Sequence, residues 1–139
     1  MAKSYQMIDH AADIGIEANA DTLQELLEAL AEGMIQVVCP PSTVRPSASR
    51  TVAVAAEDVE ATAVDFLNAV LRLIQMEHFM VAKVAVGQAS PTAVSAEVTG
   101  EPYDPARHEI AREVKAVTYH ELMIARQRSR WHGRVICDL

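Results

Sequence analysis

Hydrophobic residues recur every three or four positions in two segments of this chain, which is the spacing of one face of an α-helix. In the first segment the apolar positions are Leu23, Leu26, Leu27, Leu30, Met34 and Val37. Thr22 and Glu25 have the spacing of a capping box, so the first predicted helix begins after Asp21. It must stop by Cys39, because the prolines at 40–41 cannot continue a helix.

The second segment has the same periodicity and predicts a second helix. Its apolar positions are Val59, Ala63, Phe66, Leu67, Val70, Leu71 and Ile74. Glu57 and Asp58 place negative charge at its start, where the helix dipole favours it, and the helix is expected to end near His78. In the first helix, Gly33 costs roughly 0.5–1 kcal/mol relative to alanine, which predicts a close approach of the helix backbone to a sheet there.

Shorter apolar or alternating segments predict seven strands. They are residues 4–8, 14–18, 50–55, 81–86, 93–98, 113–126 and 134–138, with turns at 87–91 and 128–133. In the second strand Ile14, Ile16 and Ala18 share one face, so Asp13 points to the other face, toward solvent or a site. Two helices and consecutive late strands favour an α+β fold, with both helices on one face of a largely antiparallel sheet.

The composition fits a single domain spanning residues 1–139. The net charge of −7 argues against a strong autonomous binder of nucleic acid, which usually has a basic face. Four arginines nevertheless cluster near the end of the chain: Arg126, Arg128, Arg130 and Arg134. They are interpreted as a solvated hairpin, with a partner-docking or RNA-touching patch as the alternative.

The cysteines and the apolar segments predict a cytoplasmic protein. Cys39 and Cys137 are the two cysteines, which excludes a disulfide framework and a thiolate zinc site and fits a reducing compartment. The N-terminus does not have the pattern of a signal peptide. No apolar run approaches the ~20 residues that a membrane-spanning helix needs, so no membrane partner is expected.

The end of the chain offers candidate metal ligands. Asp138 is the penultimate residue, so its side chain lies beside the terminal carboxylate of Leu139, and two hard anionic oxygen groups suit a divalent cation. Asp13, near the other end, could add a further carboxylate. The residues alone favour a turn residue bonded to local backbone for Asp13, and a solvated acid on a frayed end for Asp138.

Other residues near these segments have a functional and a structural interpretation. Asp9 could support the site from a second layer or cap its own turn, and His10 is favoured as a hydrogen-bonding residue over a metal ligand. Lys115 could place its charge beside acidic groups or be a surface lysine. His120 could face a partner, contribute to the site, or be a core or edge histidine. Cys137 is interpreted as a core residue.

Catalytic signals are missing from the sequence. It contains neither a nucleophile elbow nor a phosphate-binding loop, so no catalytic or cofactor-binding residue is assigned. His108 and Tyr119 stand too isolated in the sequence to receive a role.

Four segments together carry a family resemblance. They are Asp9-His-Ala-Ala-Asp-Ile-Gly-Ile16, then Gly100-Glu-Pro-Tyr-Asp104 with a histidine shortly after, then Val114-Lys-Ala-Val-Thr-Tyr-His120, and the ending Val135-Ile-Cys-Asp-Leu139 after a tryptophan. The chain resembles the archease family, small proteins that assist a GTP-dependent tRNA-splicing ligase. The resemblance covers most of the chain. The segment 65–79 departs from it, because the family's middle helix is rich in leucine, phenylalanine and acidic residues.

The resemblance implies a fold, a metal site and a function. The fold is a two-layer α+β arrangement, and the ligands of a divalent ion, calcium or manganese, are Asp13, Asp138 and the carboxylate of Leu139. The implied function is non-catalytic: activation of the ligase that joins RNA ends bearing a 2′,3′-cyclic phosphate or 3′-phosphate to a 5′-hydroxyl. That ligase uses GTP and a metal to guanylylate its own histidine, and the activator promotes this step and multiple turnover.

Two alternative functions are kept. One is a chaperone-like modulator of a tRNA cytosine methyltransferase. The other is a small metal-dependent hydrolase that uses a metal at Asp13 and Asp138 to activate water.

Overall fold

The computed structural model describes residues 3–9 and 12–139, and for residue 9 only the backbone. Two α-helices and seven strands follow one another in the order β1 Ser4–Asp9, β2 Asp13–Ala20, α1 Leu23–Val38, β3 Ala48–Ala55, α2 Val59–Glu77, β4 Phe79–Ser90, β5 Ala93–Pro102, β6 Ala116–Gln127 and β7 Arg130–Asp138. Within this described part of the chain, no helix has the length and apolar character needed to cross a membrane.

The strands form two antiparallel sheets. One sheet has the strand order β1-β2-β7-β6 and the other has the order β3-β5-β4. Helix α1 contacts β1, β2 and β7 of the first sheet and β4 of the second, while α2 contacts β6 of the first and all three strands of the second. The predicted α+β class and antiparallel pairing are confirmed. The structure adds that both helices contact two sheets rather than one.

Helix α1 is buried on nearly every side because both sheets contact it. Its N-terminus is capped as predicted, with the Glu25 backbone N–H donating to Thr22 Oγ1 at 3.1 Å. The expected close approach at Gly33 is also confirmed. A Cβ atom added there would lie 2.7 Å from Cγ2 of Ile16 and 3.1 Å from Cδ1 of Tyr5, so only glycine lets the helix reach this depth against β1 and β2.

Helix α2 begins and ends where the sequence predicts. The Asp58 side chain caps its N-terminus by accepting a hydrogen bond from the Ala61 backbone N–H at 2.8 Å. At the other end, His78 adopts a left-handed conformation, with φ of 53°, and terminates the helix.

Both helices also use polar side chains to cover a sheet edge. Strand β4 is an edge strand, and Gln24 Nε2 donates to its Val86 carbonyl at 2.8 Å while Glu28 accepts from the Val86 N–H at 2.8 Å. Strand β6 is the edge of the other sheet. Asn68 of α2 bonds both the N–H and the carbonyl of Val117 there, at 2.9 and 3.0 Å. These bonds satisfy backbone groups that would otherwise be open to another strand.

Strand lengths are the part of the prediction that differs from the structure. Strand β4 does not end at Val86 but runs on to Ser90, which pairs with Ala93, so the predicted turn at 87–91 is largely strand. Similarly, β7 starts at Arg130 inside the predicted turn at 128–133. In both hairpins the ladder hydrogen bonds extend beyond the residues whose side chains alternate in polarity.

Candidate functional site

The C-terminal strand β7 lies inside its sheet, between β2 and β6. In this register Asp138 is the cross-strand partner of Asp13 on one side and of Ala116 on the other. Directly opposed residues of an antiparallel pair project from the same face, with Cβ atoms ~4.5–5.5 Å apart. The neighbouring pair Ile14 and Cys137 is buried against the helices, so the two aspartates share the opposite, outer face.

The backbone around Asp138 is held on both sides. The Lys115 N–H donates to the Asp138 carbonyl at 2.8 Å, and the Leu139 N–H donates to the Ala12 carbonyl at 3.3 Å. The Leu139 side chain packs half-buried against the core. The Asp138 side chain is thus solvated, as the interpretation of an acid on a frayed end expects, but its backbone is hydrogen bonded and does not form a free end.

The oxygen groups at this end suit a hard divalent cation. Asp13 is half-buried and Asp138 is exposed, and the terminal carboxylate belongs to the next residue along. Anionic groups brought this close repel each other, and a cation between them would offset that repulsion. Among the described residues, no three His, Cys, Asp or Glu side chains are grouped for a metal. A cation here would thus rely on two side chains and the chain end, with positions left for water or a partner's ligands.

The remaining candidate residues are placed differently. His10 lies outside the described residues, as does the side chain of Asp9. Lys115 is exposed and directly precedes β6, with its backbone N–H bonded as above. His120 is exposed, which excludes the core reading, and its Nε2 lies 3.3 Å from a carboxylate oxygen of Glu121. Cys137 is fully buried, as predicted, and burial raises the pKa of its thiol to about 12.

An irregular segment of β6 presents His120. The pairing with β7 jumps from Thr118 to Met123 while β7 advances only from Ile136 to Arg134, so β6 carries three extra residues. Within this bulge Glu121 has a φ of 50° and Tyr119 is 58% exposed. Bulges of this kind re-aim side chains beside functional sites. This one lies on the strand that borders the Asp138 end.

A buried ionic cluster, which the sequence reasoning did not identify, surrounds Glu101. Arg107 donates from both Nη atoms to its carboxylate, at 3.0 and 2.5 Å, and the Arg45 backbone N–H donates at 2.8 Å. His108 Nε2 lies 2.8 Å from the same carboxylate. Because His108 Nδ1 accepts from the Asp104 N–H at 2.9 Å, Nδ1 carries no hydrogen and Nε2–H is the donor to Glu101.

These contacts favour the ionised form of Glu101. The Arg107 guanidinium first, and then the Arg45 N–H, lower the pKa of the Glu101 carboxyl from 4.5 to about 2. The cluster fixes the irregular chain that follows β5 and leads to β6. The segment 100–104 and the histidine after it therefore have a structural role, and His108 has the role that the sequence alone did not assign.

We expect the stability contributed by Glu101 to depend on pH. Its folded-state pKa lies below its unfolded value, so the contribution is present above about pH 4.5 and is lost as the pH falls toward about 2. Glu101→Gln should therefore lower the free energy of unfolding at pH 7, and its difference from the wild type should shrink through that window. Denaturant unfolding across pH measures this. Glu97→Gln, an exposed change on the same strand, is the control, and a pH-independent deficit at Glu101 would contradict the prediction.

Helix α2 also reaches the backbone beside Asp138. Gln75 Nε2 donates to the carbonyls of Val114 and Lys115, both at 2.9 Å. Since the Lys115 N–H in turn bonds Asp138, a side chain of α2 positions the residue that holds the candidate site.

Gln75→Glu should loosen this connection, because a carboxylate cannot donate to the two carbonyls. At ~1 kcal/mol per lost hydrogen bond, we expect amide exchange at Lys115 to accelerate on the order of tenfold. Hydrogen–deuterium exchange followed by NMR measures it. Asn68→Asp is the matched control, because it removes a donor to the Val117 carbonyl, two residues after Lys115. Equal acceleration at Lys115 in both variants would show that Gln75 has no local role.

Comparison with known proteins agrees with this description. Residues 5–139 match the model of the Archease protein family (MTH1598/TM1083). The archease of Thermococcus kodakarensis is 34% identical over 99% of this chain and 99% of that relative. The archease of Methanosarcina acetivorans is 30% identical over 99% of this chain and 97% of that relative.

Solved structures give the same result. The solution structure of Methanobacterium thermoautotrophicum protein 1598 has a TM-score of 0.81 and 26% identity, covering 97% of this chain and 98% of that one. An archease from Thermotoga maritima, described as a possible chaperone, has a TM-score of 0.67 at 20% identity, over 95% and 94% of the two chains, and supports the fold alone. The fold is thus that of a small two-helix α+β protein with paired aspartates at its chain end. The chain belongs to the archease family.

Proposed function

We propose that this protein is a non-catalytic activator of a GTP-dependent tRNA-splicing ligase, and that it acts through a divalent cation, calcium or manganese. The ligands are the carboxylates of Asp13, Asp138 and the chain terminus at Leu139. The observation that carries the proposal is the β2–β7 register, which sets the two aspartates directly opposite each other on the outer face.

The arrangement suits a shared site better than a closed one. A bound cation would supply positive charge and open coordination positions. The protein's own part is to hold and orient the carboxylates, and it does so with backbone bonds from Lys115 and to Ala12. Because Asp138 is exposed at the end of a paired strand, its carboxylate is accessible to the active site of a partner.

The surroundings of the site favour activation over catalysis. Cys137 is the nearest thiol along the strand, but it faces the core and its pKa is raised to about 12 by burial, so it is not an activated nucleophile. A hydrolase would need a general base within reach of a metal-bound water. The exposed His120 makes its contact with Glu121, on the bulge. The hydrolase therefore receives no specific support.

A chaperone-like modulator of a tRNA cytosine methyltransferase remains the second candidate. A specific observation favours it: Tyr103 and Ile110 are each 40% exposed and border a groove of about 330 Å³. Exposed apolar surface of this kind suits transient contact with another protein. Suppression of methyltransferase aggregation, without any effect on the ligase, would favour this candidate over the first.

Asp138→Ala should weaken divalent-metal binding without changing the fold. The backbone bonds of residue 138 do not involve its side chain, so the melting temperature should stay within a degree or two, while losing one of three carboxylates should lower affinity on the order of tenfold or more. Calorimetric titration with calcium and with manganese, beside a thermal melt, measures both quantities. Asp65→Ala, an exposed acid on α2, is the control. Metal affinity unchanged by Asp138→Ala would remove this residue from the site.

Extending the chain beyond Leu139 should depress ligase activation, because the terminal carboxylate becomes a neutral amide. An N-terminal extension of the same length should not. Guanylylation of the ligase with GTP, measured across metals with and without each form, tests both the function and the terminus. A parallel reaction with cyclic-phosphate-ended RNA but no ligase should yield neither ligated nor hydrolysed product. Equal stimulation by both tagged forms would exclude the terminal carboxylate as a ligand.

A further inference from the structure

The hairpin that joins β6 to β7 has an unusual residue at its tip. Gln127 pairs with Arg130, so the turn consists of Arg128 and Ser129 alone. Arg128 adopts a left-handed conformation, with φ of 58°. Two-residue hairpin turns favour glycine, asparagine or aspartate where φ is positive, and an L-residue with a long side chain is disfavoured there. The conformational cost of an arginine at such a position points to a role for its side chain outside the turn itself.

The tip concentrates positive charge on an acidic protein. Arg126 and Arg128 are exposed, and within the described part of the chain the structure gives neither an ion pair. Arg134, further along β7, lies 3.6 Å from Glu17. Arg126 and Arg128 thus place two exposed positive charges two residues apart on a chain whose net charge is −7.

The chemistry of the tip fits phosphate groups better than a protein surface. An open concavity of about 560 Å³ is lined by Gln127, Arg128, Ser129, Arg130 and His132, all of which carry polar side chains. Guanidinium, amide and hydroxyl donors are the groups that contact phosphate oxygens, and guanidinium can do so with two parallel bonds. Protein interfaces are instead anchored by buried aromatic or apolar residues. None of the exposed large hydrophobic residues lies in the segment 126–130.

We propose that the hairpin tip, defined as residues 126–130, binds the phosphodiester backbone of the RNA that the ligase joins. This inference rests on the proposed function, because it assigns the RNA as the ligand of a second surface of the activator. Arg126 and Arg128 supply the charge. The net charge of −7 keeps the affinity for RNA alone low, so the contact acts mainly when the ligase already holds the RNA nearby.

The fold fixes the distance between this surface and the carboxylates. Arg130 and Asp138 are the two ends of β7, eight residues apart, which corresponds to about 26 Å at ~3.3 Å per residue. A stacked strand of nucleic acid advances ~3.4 Å per nucleotide along its axis, so the tip would contact stacked RNA roughly eight nucleotides from the reacting end. Substrates much shorter than this should gain nothing from the hairpin.

The test uses the full-length double variant Arg126→Glu/Arg128→Glu. The control is Arg72→Glu/Lys83→Glu, which makes the same change of charge at exposed residues outside the hairpin tip. Fluorescence anisotropy with a labelled single-stranded RNA at low ionic strength should show binding weakened about tenfold or more by the hairpin variant and much less by the control. The slope of log affinity against log salt should fall by about 1.4, or ~0.7 for each lost phosphate contact. Unchanged affinity would overturn the proposal.

Ligase assays separate RNA from protein as the ligand of the tip. Guanylylation needs no RNA, so the hairpin variant should stimulate it as the wild type does, while multiple-turnover ligation of long RNA should fall several-fold. A loss of guanylylation equal to the loss of ligation would mean that the tip docks on the ligase, and the proposal would be wrong. If the wild-type protein itself fails to stimulate guanylylation, the proposed function is wrong, and the anisotropy measurement still decides the RNA contact.

Arg128→Gly separates binding from folding. Glycine suits the left-handed turn, so this variant should melt at an equal or higher temperature than the wild type and still bind RNA more weakly. A variant that binds RNA as the wild type does would contradict a role for this side chain.

Discussion

The central position of β7 is the constraint on which the candidate site depends. A terminal strand at the edge of a sheet would be hydrogen bonded on one side and free to fray, but β7 is paired with β2 and β6 along its length. The ladder therefore reaches the penultimate residue, and Asp138 is as fixed as any strand residue. Because antiparallel register is determined by the whole strand, Asp138 cannot move relative to Asp13 without shifting every buried partner of β7 to the wrong face.

The helices support this arrangement through polar contacts as well as through their apolar faces. Each uses side chains outside its buried stripe to bond the backbone at a sheet edge. Gln24 and Glu28 bond β4, Asn68 bonds β6, and Gln75 bonds the two residues just before β6. The bonds from α2 hold the edge that borders β7. Substitutions on α2 can therefore alter the geometry at the chain end without contacting it.

The sequence predicts what depends on neighbouring residues and misses what depends on distant ones. The cap at Thr22 and the acidic start of α2 at Glu57 and Asp58 were predictable, because each follows from residues within one or two helical turns. The close approach at Gly33 was predictable from the glycine itself, because glycine is unfavourable inside a helix. Strand ends were less so, because ladders extend past the alternating residues. The Glu101 cluster was missed because its largest partners, Arg107 and the Arg45 backbone, come from separate irregular segments. The pairing of Asp13 with Asp138 came from family resemblance, since composition and periodicity carry no information about register.

Strand β7 joins two groups of opposite charge. Its last residue, Asp138, carries a carboxylate, and its first residue follows the hairpin tip with the exposed Arg126 and Arg128. One rigid element of about 26 Å, at ~3.3 Å per residue, therefore separates an anionic end from a cationic end. The sheet holds this strand on both sides, so the separation cannot adapt to a ligand. A partner that presents a metal-binding active site at one point and polyanionic substrate at a fixed distance from it would match both ends at once. A free nucleotide could match only one of the two ends of β7. This rigidity, more than the affinity of either end, is what would orient the protein on an enzyme already loaded with RNA.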